Sequence, residues 1–380
     1  MSALVFQLTG NPIVVGAVTA ILRFGWLFPQ LIVGFLAQRD GSSMRYYIIG
    51  AFGRAMCMAV LAFVLFIGTG LPALTLSTFV MAIWTAYAFI SGIVAVPYND
   101  IVARSVPSEL RSRLLATRFF GGGILALGVV AIADRLVSGL EFPLSYAAII
   151  AMAAVLMFIS SGVFAAMGEP DVVSERTSKP AFFQYLKDGV SVFQTDLNFR
   201  KFVYAQWCGG AVLMAMPFYI VQADANGIGF EGVALMLGAQ TAGALVSNAL
   251  WGWWGDQYGK ASLLKGIAIG RILPPAIILL LTTTRFLDPS EMFYLFVGTF
   301  FVLGALANGL TIAVIGFLME ISPEHLRPAY SGYFNAITAP AFLLPLLAGG
   351  IAALFGFTVV FTISMTGAML QAYLLMRLDA

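Results

Sequence analysis

The chain has 380 residues, of which 60% are hydrophobic and only 10% are charged, with a formal net charge of +2. A soluble domain carries about 25% charged residues, so this composition argues against a soluble enzyme, a nucleic-acid-binding protein and a disordered chain, and it indicates a polytopic membrane protein. The single histidine, His325, and the two separated cysteines, Cys57 and Cys208, predict no metal site and no disulfide. We also expect no cofactor and no catalytic cluster.

Polar residues divide the chain into apolar segments, each about long enough to cross roughly 30 Å of hydrocarbon as a helix. The segments are 12–37, 46–68, 74–96, 114–133, 144–167, 202–223, 229–254, 263–284, 292–319, 330–355 and 357–376. We predict an all-α membrane protein with about eleven transmembrane helices, because backbone groups in lipid must be satisfied internally. We expect an N-terminal bundle of about five transmembrane helices at 1–168, a linker at 169–201 and a C-terminal bundle of six transmembrane helices at 202–380.

The distribution of basic residues predicts the orientation. One set of connections holds 15 of the 20 Lys and Arg residues, and the opposite set holds only Arg135 and Arg285. By the positive-inside rule, the linker and the C-terminus are cytoplasmic, and the protein lies in the cytoplasmic (inner, plasma) membrane.

Within the linker, apolar residues such as Phe182, Phe183 and Phe193 recur at helical spacing. This spacing predicts an amphipathic helix at the membrane interface, with a plain linker helix as the alternative.

Two motifs repeat at nearly the same distance. Segments 34–41 and 252–259 both consist of a glycine, three residues, a polar triplet and a glycine, and they are 218 positions apart (252 minus 34). Pro107–Arg111 and Pro323–Arg327 both have a proline four residues before an arginine, and they are 216 positions apart (323 minus 107). The repeats predict two parallel halves, a transporter architecture. The counterpart of span 202–223 would precede residue 7, so we expect the first helix to be missing, either by truncation or by nature.

These motifs resemble the loop signature of the major facilitator superfamily, Gly-x-x-x-Asp-Arg-x-Gly-Arg-Arg. In the first half Gln38 stands at the Asp position and Arg39 fits, whereas in the second half Asp256 fits and Gln257 replaces the Arg. The resemblance implies a secondary active or facilitative transporter that moves a small organic solute by alternating access. The alternative is a non-transporting membrane scaffold or assembly factor. We expect a small-molecule substrate, surrounding lipid, no nucleic-acid partner and a monomer.

Polar and aromatic residues inside the spans are candidates to line a solute cavity, with interhelical hydrogen bonding as the alternative for each. They are Arg23, Trp26, Gln30, Trp84, Tyr87, Gln206, Trp207, Gln240, Asn248, Asn308 and Asn335. Among them, Arg23 is the candidate for an anionic group of the solute, although it also suits pairing with an acid or capping of carbonyl groups.

The resemblance also implies cytoplasmic gate networks. Their candidate residues are Arg39, Arg54, Asp100, Arg111, Asp256, Arg271, Glu320 and Arg327. We predict that Arg54 pairs with Asp100, and that Arg271 pairs with Asp256 or Glu320. Such pairs would form when the cytoplasmic side closes, and static helix-end pairing is the alternative.

Overall fold

The computed structural model describes residues 1–9, 12–40, 42–170, 181–226, 228, 230–283 and 288–378. The regular structure in these residues is helical, as the composition predicts, and none of them lies in a strand. The first half contains α1 (Ser2–Thr9), α2 (Pro12–Asp40), α3 (Ser43–Ile67), α4 (Ala73–Gly92), α5 (Ala95–Ser105), α6 (Ser108–Gly139) and α7 (Leu144–Ala166), and the linker contains α8 (Phe182–Thr195). The second half contains α9 (Leu197–Leu213), α10 (Phe218–Ala225), α11 (Phe230–Gln257), α12 (Lys260–Gly270), α13 (Leu273–Thr283), α14 (Pro289–Ile321), α15 (Arg327–Thr338), α16 (Leu344–Phe355) and α17 (Phe357–Met376).

Among the described residues, seven helical stretches are long and apolar enough to cross a membrane. They are Ser43–Gly70, Ala73–Ser105, Leu144–Ala166, Leu197–Ala223, Lys260–Leu281, Ser290–Ile321 and Phe357–Met376. The other four predicted spans fall on α2, on α6, on α11 and on α15 with α16. The total of eleven therefore stays a prediction, while the multi-pass membrane character follows from the apolar helices.

Several predicted spans are interrupted near a proline. The helix breaks between α4 and α5 just before Pro97, between α9 and α10 up to Pro217, and between α12 and α13 just before Pro274. A 3₁₀ turn at Ala339–Leu343 surrounds Pro340. Proline lacks the N–H group and cannot bond the carbonyl four residues earlier, so the regular helix ends there.

The chain forms two compact units. Unit 1 comprises Met1–Ser105, Ile124–Gly189 and Ser322–Ala336. Its core lies where α3, α4 and α7 pack together and includes Leu61, Leu65, Val80 and Trp84, all buried. Unit 1 thus combines most of the first half with a short segment from the second.

Unit 2 comprises Val106–Gly123, Val190–Ile321 and Ile337–Ala380. Its core contains the fully buried side chains of Tyr219, Phe296 and Phe361. Unit 2 thus combines most of the second half with the beginning of α6 from the first.

The linker helix α8 exists as predicted. Tyr185 and Gly189 face the protein, whereas the side chains of Phe183 and Val190 are 68% and 57% exposed. Contact of this phenylalanine face with the membrane stays a prediction. Residues 171–180, which include most of the charged run before the helix, lie outside the described residues.

Candidate functional site

Unit 2 contains a cavity of about 520 Å³ between α6, α11 and α14. Each helix contributes residues at helical spacing, so that one face of each helix forms a wall. The lining residues are Arg118, Phe119, Gly122 and Gly123 from α6, Gln240, Thr241, Ala244 and Leu245 from α11, and Gly304, Ala307 and Asn308 from α14. A volume of this size is typical of a small-molecule site.

The walls formed by α11 and α14 are held together through glycines. A Cβ atom at Gly304 would lie 1.8 Å from the carbonyl oxygen of Gln240, and one at Gly243 would lie 2.0 Å from that of Phe301. The two backbones therefore touch at these positions, where no larger residue fits. This close crossing sets the distance between Gln240 and Asn308 across the cavity wall.

Three predicted cavity residues come together on this wall. Asn308 donates a hydrogen bond to the carbonyl of Ala244 at 3.0 Å and another to Oδ1 of Asn248 at 3.4 Å. Gln240 and Asn308 line the cavity, while Asn248 is buried behind it and orients the Asn308 amide. Both interpretations of these residues, cavity lining and interhelical bonding, therefore apply in part.

Next to the cavity, α6 and α11 are in contact through small residues. A Cβ atom at Gly252 would lie 2.9 Å from the Cβ of Ala116, and one at Gly255 would lie 2.3 Å from Oγ of Ser112. Close to the cavity itself, Leu245 fills the space beside Gly123. The contact therefore extends from the cavity to the end of α11.

Asp256 joins the ends of the same two helices. Its carboxylate accepts hydrogen bonds from the backbone N–H groups of Ser112 at 3.0 Å and Arg113 at 2.9 Å. Lys260, itself buried, lies 3.5 Å from this carboxylate and also donates to the carbonyl of Ser108. A negative charge near the beginning of α6 is favoured by the helix dipole, so Asp256 stabilises this contact.

Unit 1 contains a related contact between α2 and α15. A Cβ atom at Gly34 would lie 2.7 Å from the carbonyl oxygen of Pro328 and 3.3 Å from Cα of Gly332. Gly34 precedes Gly252 by 218 positions and Ala116 precedes Gly332 by 216. The repeated motifs therefore make the same kind of close helix contact once in each unit.

The linker helix reinforces the contact in unit 1. The Tyr185 hydroxyl donates to the carbonyl of Leu31 at 3.3 Å, and the Tyr333 hydroxyl donates to the Tyr185 carbonyl at 2.8 Å. Burial, together with the nearby Tyr333, raises the pKa of Tyr185 well above its ordinary value, so its hydroxyl stays neutral. Tyr185 therefore connects α8 to both helices of the contact.

Gln30 and Asn335, two more predicted cavity residues, are hydrogen-bonded to each other beside this contact. Gln30 lies four positions before Gly34, and Asn335 lies three positions after Gly332. The side-chain amide of Asn335 donates to Oε1 of Gln30, and Gln30 donates to the carbonyl of Trp26 at 2.8 Å. Gln30 is fully buried. The pair fits interhelical bonding, the alternative for these residues, because each satisfies the other.

A charged cluster in unit 1 surrounds the beginning of α3. Arg104 forms an ion pair with Asp100 at 2.7 Å and another with Glu169, and Asp100 accepts from the Ser43 hydroxyl at 2.6 Å. Glu169 also accepts from the N–H groups of Ser43 and Met44 at 2.8 and 3.1 Å. Burial by itself would raise the pKa of Glu169, but these hydrogen bonds outweigh burial and hold it below the ordinary value.

The predicted gate pairs are not formed in the described residues. Asp100 pairs with Arg104 rather than with Arg54, whose buried Nε has no partner. Arg271 donates to the side chain of Gln371 and to the carbonyl of Gly209 rather than to Asp256 or Glu320. Arg271 is one turn or less from the break before Pro274, and its contacts instead connect α12 with α17 and α9.

The remaining gate candidates differ in their surroundings. Arg111 is buried, and its Nε donates to the carbonyl of Val106 at 2.9 Å. Arg327 is also buried, at the beginning of α15. Arg39 and Glu320 are exposed.

The other predicted cavity residues are dispersed. Trp84 is buried in the unit 1 core, donates to the carbonyl of Val18 at 2.9 Å and stacks on Tyr87. In unit 2, Trp207 donates to the carbonyl of Ile337 at 3.1 Å, and Nε2 of Gln206 is buried without a partner. Trp26 is partly exposed, and the side chain of Arg23 lies outside the described part of the structure.

Four important residues were not predicted as site residues. Arg104 lies four positions after Asp100, so helical spacing offered a signal for that pair. Arg118 lies inside the predicted span 114–133, although it is not among the predicted cavity residues. Glu169 and Tyr185 have no sequence signal, because their partners are 65 or more positions away.

Comparisons with known proteins agree with this architecture. Residues 205–379 match the family model described as Major Facilitator Superfamily. A bacterial homologue of the iron transporter ferroportin, in an outward-facing state, is 14% identical with a TM-score of 0.75, covering 100% of this chain and 93% of that one. The transporter FucP, in its outward conformation, is 13% identical with a TM-score of 0.76 and the same coverages, 100% and 93%.

A third similar structure is the proton:xylose symporter XylE. It is 13% identical with a TM-score of 0.68, covering 96% of this chain and 86% of that one. At these identities the likeness shows the fold alone. No curated protein matches this chain by sequence.

Proposed function

We propose that the protein is a secondary active or facilitative transporter of the Major Facilitator Superfamily, because residues 205–379 match the model of that family and the chain has the fold of solved transporters. It moves a small organic solute across the cytoplasmic membrane by alternating access. It acts as a monomer, with its C-terminus in the cytoplasm.

The observation that carries this proposal is the cavity of about 520 Å³ lined by Gln240, Asn308 and Arg118. Membrane proteins place polar side chains inside predicted spans where they bond to one another or face a solute path. The Gln240 side-chain amide makes no hydrogen bond to the described residues, so it is available to a solute.

The contact between α6 and α11 is one part of the proposed gate. Ala116 belongs to the first half of the sequence and Gly252 to the second, so opening at this position requires their separation. The small residues and the bonds from Asp256 make the closed contact stable without covalent links. The contact of Gly34 with Gly332 is the second part, with Arg39 at the end of α2 and Arg327 at the beginning of α15. Of the other two arginines proposed for the gate, Arg111 lies near the beginning of α6 and Arg54 lies within α3.

A reversible cross-link tests this mechanism. In a variant whose own Cys57 and Cys208 are replaced by Ser, Ala116→Cys and Gly252→Cys are combined, and solute flux is measured in proteoliposomes. Oxidation is expected to abolish flux and reduction to restore it, because α6 and α11 can no longer separate.

The matched control joins two helices of the second half. A Cβ atom at Gly367 would lie 2.8 Å from the Cβ of Ala211, almost the same separation as at the gate. Ala211→Cys with Gly367→Cys is expected to transport equally well when oxidised and reduced. If the oxidised, cross-linked gate variant transports solute as fast as the same variant under reducing conditions, alternating access at this contact is refuted. If no solute crosses in any state, the scaffold alternative is favoured.

A further inference from the structure

Unit 1 contains another cavity, of about 660 Å³, which shares no lining residue with the cavity in unit 2. One of its walls is a face of α4 that includes Ser77, Thr78 and Thr85, and the other walls include Leu8 of α1 and Val14 of α2. We call this space the α4 cavity. None of its described lining residues is charged, so its polar character comes from hydroxyl groups.

The internal repeat relates the α4 cavity to a position in unit 2. The motif at Pro107–Arg111 repeats at an offset of 216, and the same offset matches Ser77 of α4 with Phe293 of α14 (293 minus 77). Burial supports this alignment, since Val80 and its counterpart Phe296 are both fully buried. The helices α4 and α14 therefore face the cores of their own units in the same register.

The corresponding positions of unit 2 hold aromatic side chains. At the offset of 216, the three hydroxyl residues of the α4 wall correspond to Phe293, Tyr294 and Phe301. A Cβ atom at Gly232 of α11 would lie 3.1 Å from Cε2 of Phe293, so this ring extends from α14 to α11. Gly232 corresponds to Val14 at the offset of 218 found for the first motif (232 minus 14). Because unit 1 has a serine in place of the ring, the space between α4 and α2 stays open.

The hydroxyl groups of the α4 wall are available as acceptors. Ser77 and Thr78 both donate to the carbonyl of Leu74, at 2.9 and 2.8 Å, and Thr85 donates to the carbonyl of Met81 at 2.8 Å. Each hydroxyl has one proton, which bonds within its own helix, while the lone pairs on its oxygen can still accept. A ligand can therefore bond to this wall by donating a hydrogen bond.

The walls together select a neutral ligand. A cation or an anion would lose its hydration without meeting a charge of opposite sign on the described lining residues, which is strongly unfavourable. An amide would donate to the wall, but its carbonyl would need a donor that the α4 hydroxyls do not offer. Leu8, Val14 and Met81 supply apolar surface. The matching ligand therefore has a hydroxyl group on an apolar body.

We propose that the α4 cavity binds a neutral amphipathic alcohol, whose hydroxyl donates to the side-chain oxygens of Ser77 and Thr85. The apolar body of the alcohol packs against Leu8 and Val14. Ser77 keeps the cavity open, because a larger side chain at this position would fill it as Phe293 does in unit 2. The site goes beyond the proposed transport function and does not depend on it.

The test uses ω-phenylalkanols with three to eight carbons in the alkyl chain, each paired with its methyl ether. Binding of the radiolabelled compounds to the full-length protein in detergent micelles is measured by equilibrium dialysis, with protein-free micelles as the blank. At least one alcohol is expected to bind saturably and about fivefold more tightly than its ether, because the ether cannot donate a hydrogen bond.

Two variants test the two features of the site. Ser77→Phe introduces the residue type that unit 2 has at this position and is expected to abolish saturable binding. The double variant Ser77→Ala with Thr85→Val keeps the cavity open and removes both acceptors, so the alcohol is expected to bind no more tightly than its ether. The matched control is Thr366→Val on α17, which removes an exposed hydroxyl that also donates to the carbonyl four residues earlier, at 2.9 Å. It is expected to bind the alcohol as the native protein does.

Thermal unfolding shows whether each variant is folded. Should Ser77→Phe fail to fold, the double variant decides, because it introduces no larger side chain. The proposal is overturned if no alcohol binds saturably, if the ethers bind as tightly as the alcohols, or if either folded variant binds the alcohol as the native protein does. The measurement is of binding and not of flux, so its outcome is independent of whether the protein transports a solute.

Discussion

Asn335 donates a hydrogen bond to Gln30 across 305 positions of sequence, and the bond connects α15 to α2 within unit 1. The pair lies beside the contact of Gly34 with Gly332. Since Gln30 is fully buried, its amide oxygen has no access to water. The bond therefore couples a first-half helix to a second-half helix where the proposed gate closes.

Replacing Asn335 alone is expected to lower the free energy of unfolding more than replacing both Asn335 and Gln30. Asn335→Ala leaves a buried acceptor unsatisfied, which costs about 1–3 kcal/mol. Adding Gln30→Leu to Asn335→Ala should recover part of this loss, giving a coupling energy of about 0.5–3 kcal/mol in a double-mutant cycle of detergent unfolding.

The control for this cycle is Thr362→Ala. Its exposed hydroxyl bonds only to the carbonyl of Thr358 in its own helix, so the change should be small and additive with Asn335→Ala. Strict additivity of Gln30→Leu and Asn335→Ala would show that the bond does not contribute.

Tyr185 is expected to be the most important side chain of the linker helix. Tyr185→Phe removes the donor to Leu31 and should cost about 1 kcal/mol of unfolding free energy. Tyr185→Ala also empties a fully buried site and should cost about 3–5 kcal/mol. Phe183→Ala, on the exposed face of α8, should change stability by less than about 0.5 kcal/mol. Equal effects of Tyr185→Ala and Phe183→Ala would contradict the burial of Tyr185.

Glycines of α14 should differ sharply in their tolerance of alanine. Gly304→Ala places a Cβ 1.8 Å from the carbonyl oxygen of Gln240, so α11 and α14 must separate. We expect a loss of about 1–3 kcal/mol or more. At Gly298 a Cβ meets nothing within 4 Å, and Gly298→Ala should be neutral or stabilising by up to about 1 kcal/mol. Thermal unfolding of both variants tests this difference. A Gly304→Ala protein as stable as the native protein would rule out the close crossing of α11 and α14.

Glu169 should make stability depend on pH. Its folded pKa is below the ordinary value of 4.5, because hydrogen bonds to the carboxylate outweigh its burial. The unfolded chain then binds the proton more tightly, so the stabilisation is complete above about pH 4.5 and is lost as the pH falls through the folded pKa. Native protein should exceed Glu169→Gln in stability at pH 7, and the difference should shrink below pH 4.5.

The control for this experiment is Glu141→Gln, which removes an exposed carboxylate that makes no hydrogen bond or ion pair to the described residues. Its stability difference from native should stay small at every pH. A difference for Glu169→Gln that is the same at pH 4 and pH 7 would exclude the carboxylate as the stabilising group.

The sequence by itself determined the membrane class, the helical fold and the positions of the repeated loops, because each depends on local features: apolar length, proline positions and short motifs. It also identified Gln240, Asn308, Gln30 and Asn335 as polar residues inside spans. The partners of these residues were not predictable from spacing, because they depend on which helix faces meet.

Only the tertiary structure decided which polar residues line the cavity and which bond to each other. It assigned Asp100 to Arg104 and Glu169 rather than to Arg54, and Arg271 to Gln371 rather than to an acid. It also placed Arg118 on a wall of the cavity. The physical reason is that helix packing depends on small residues far apart in sequence, between 58 positions (Gly243 and Phe301) and 298 positions (Gly34 and Gly332), and their close approach determines where neighbouring side chains point.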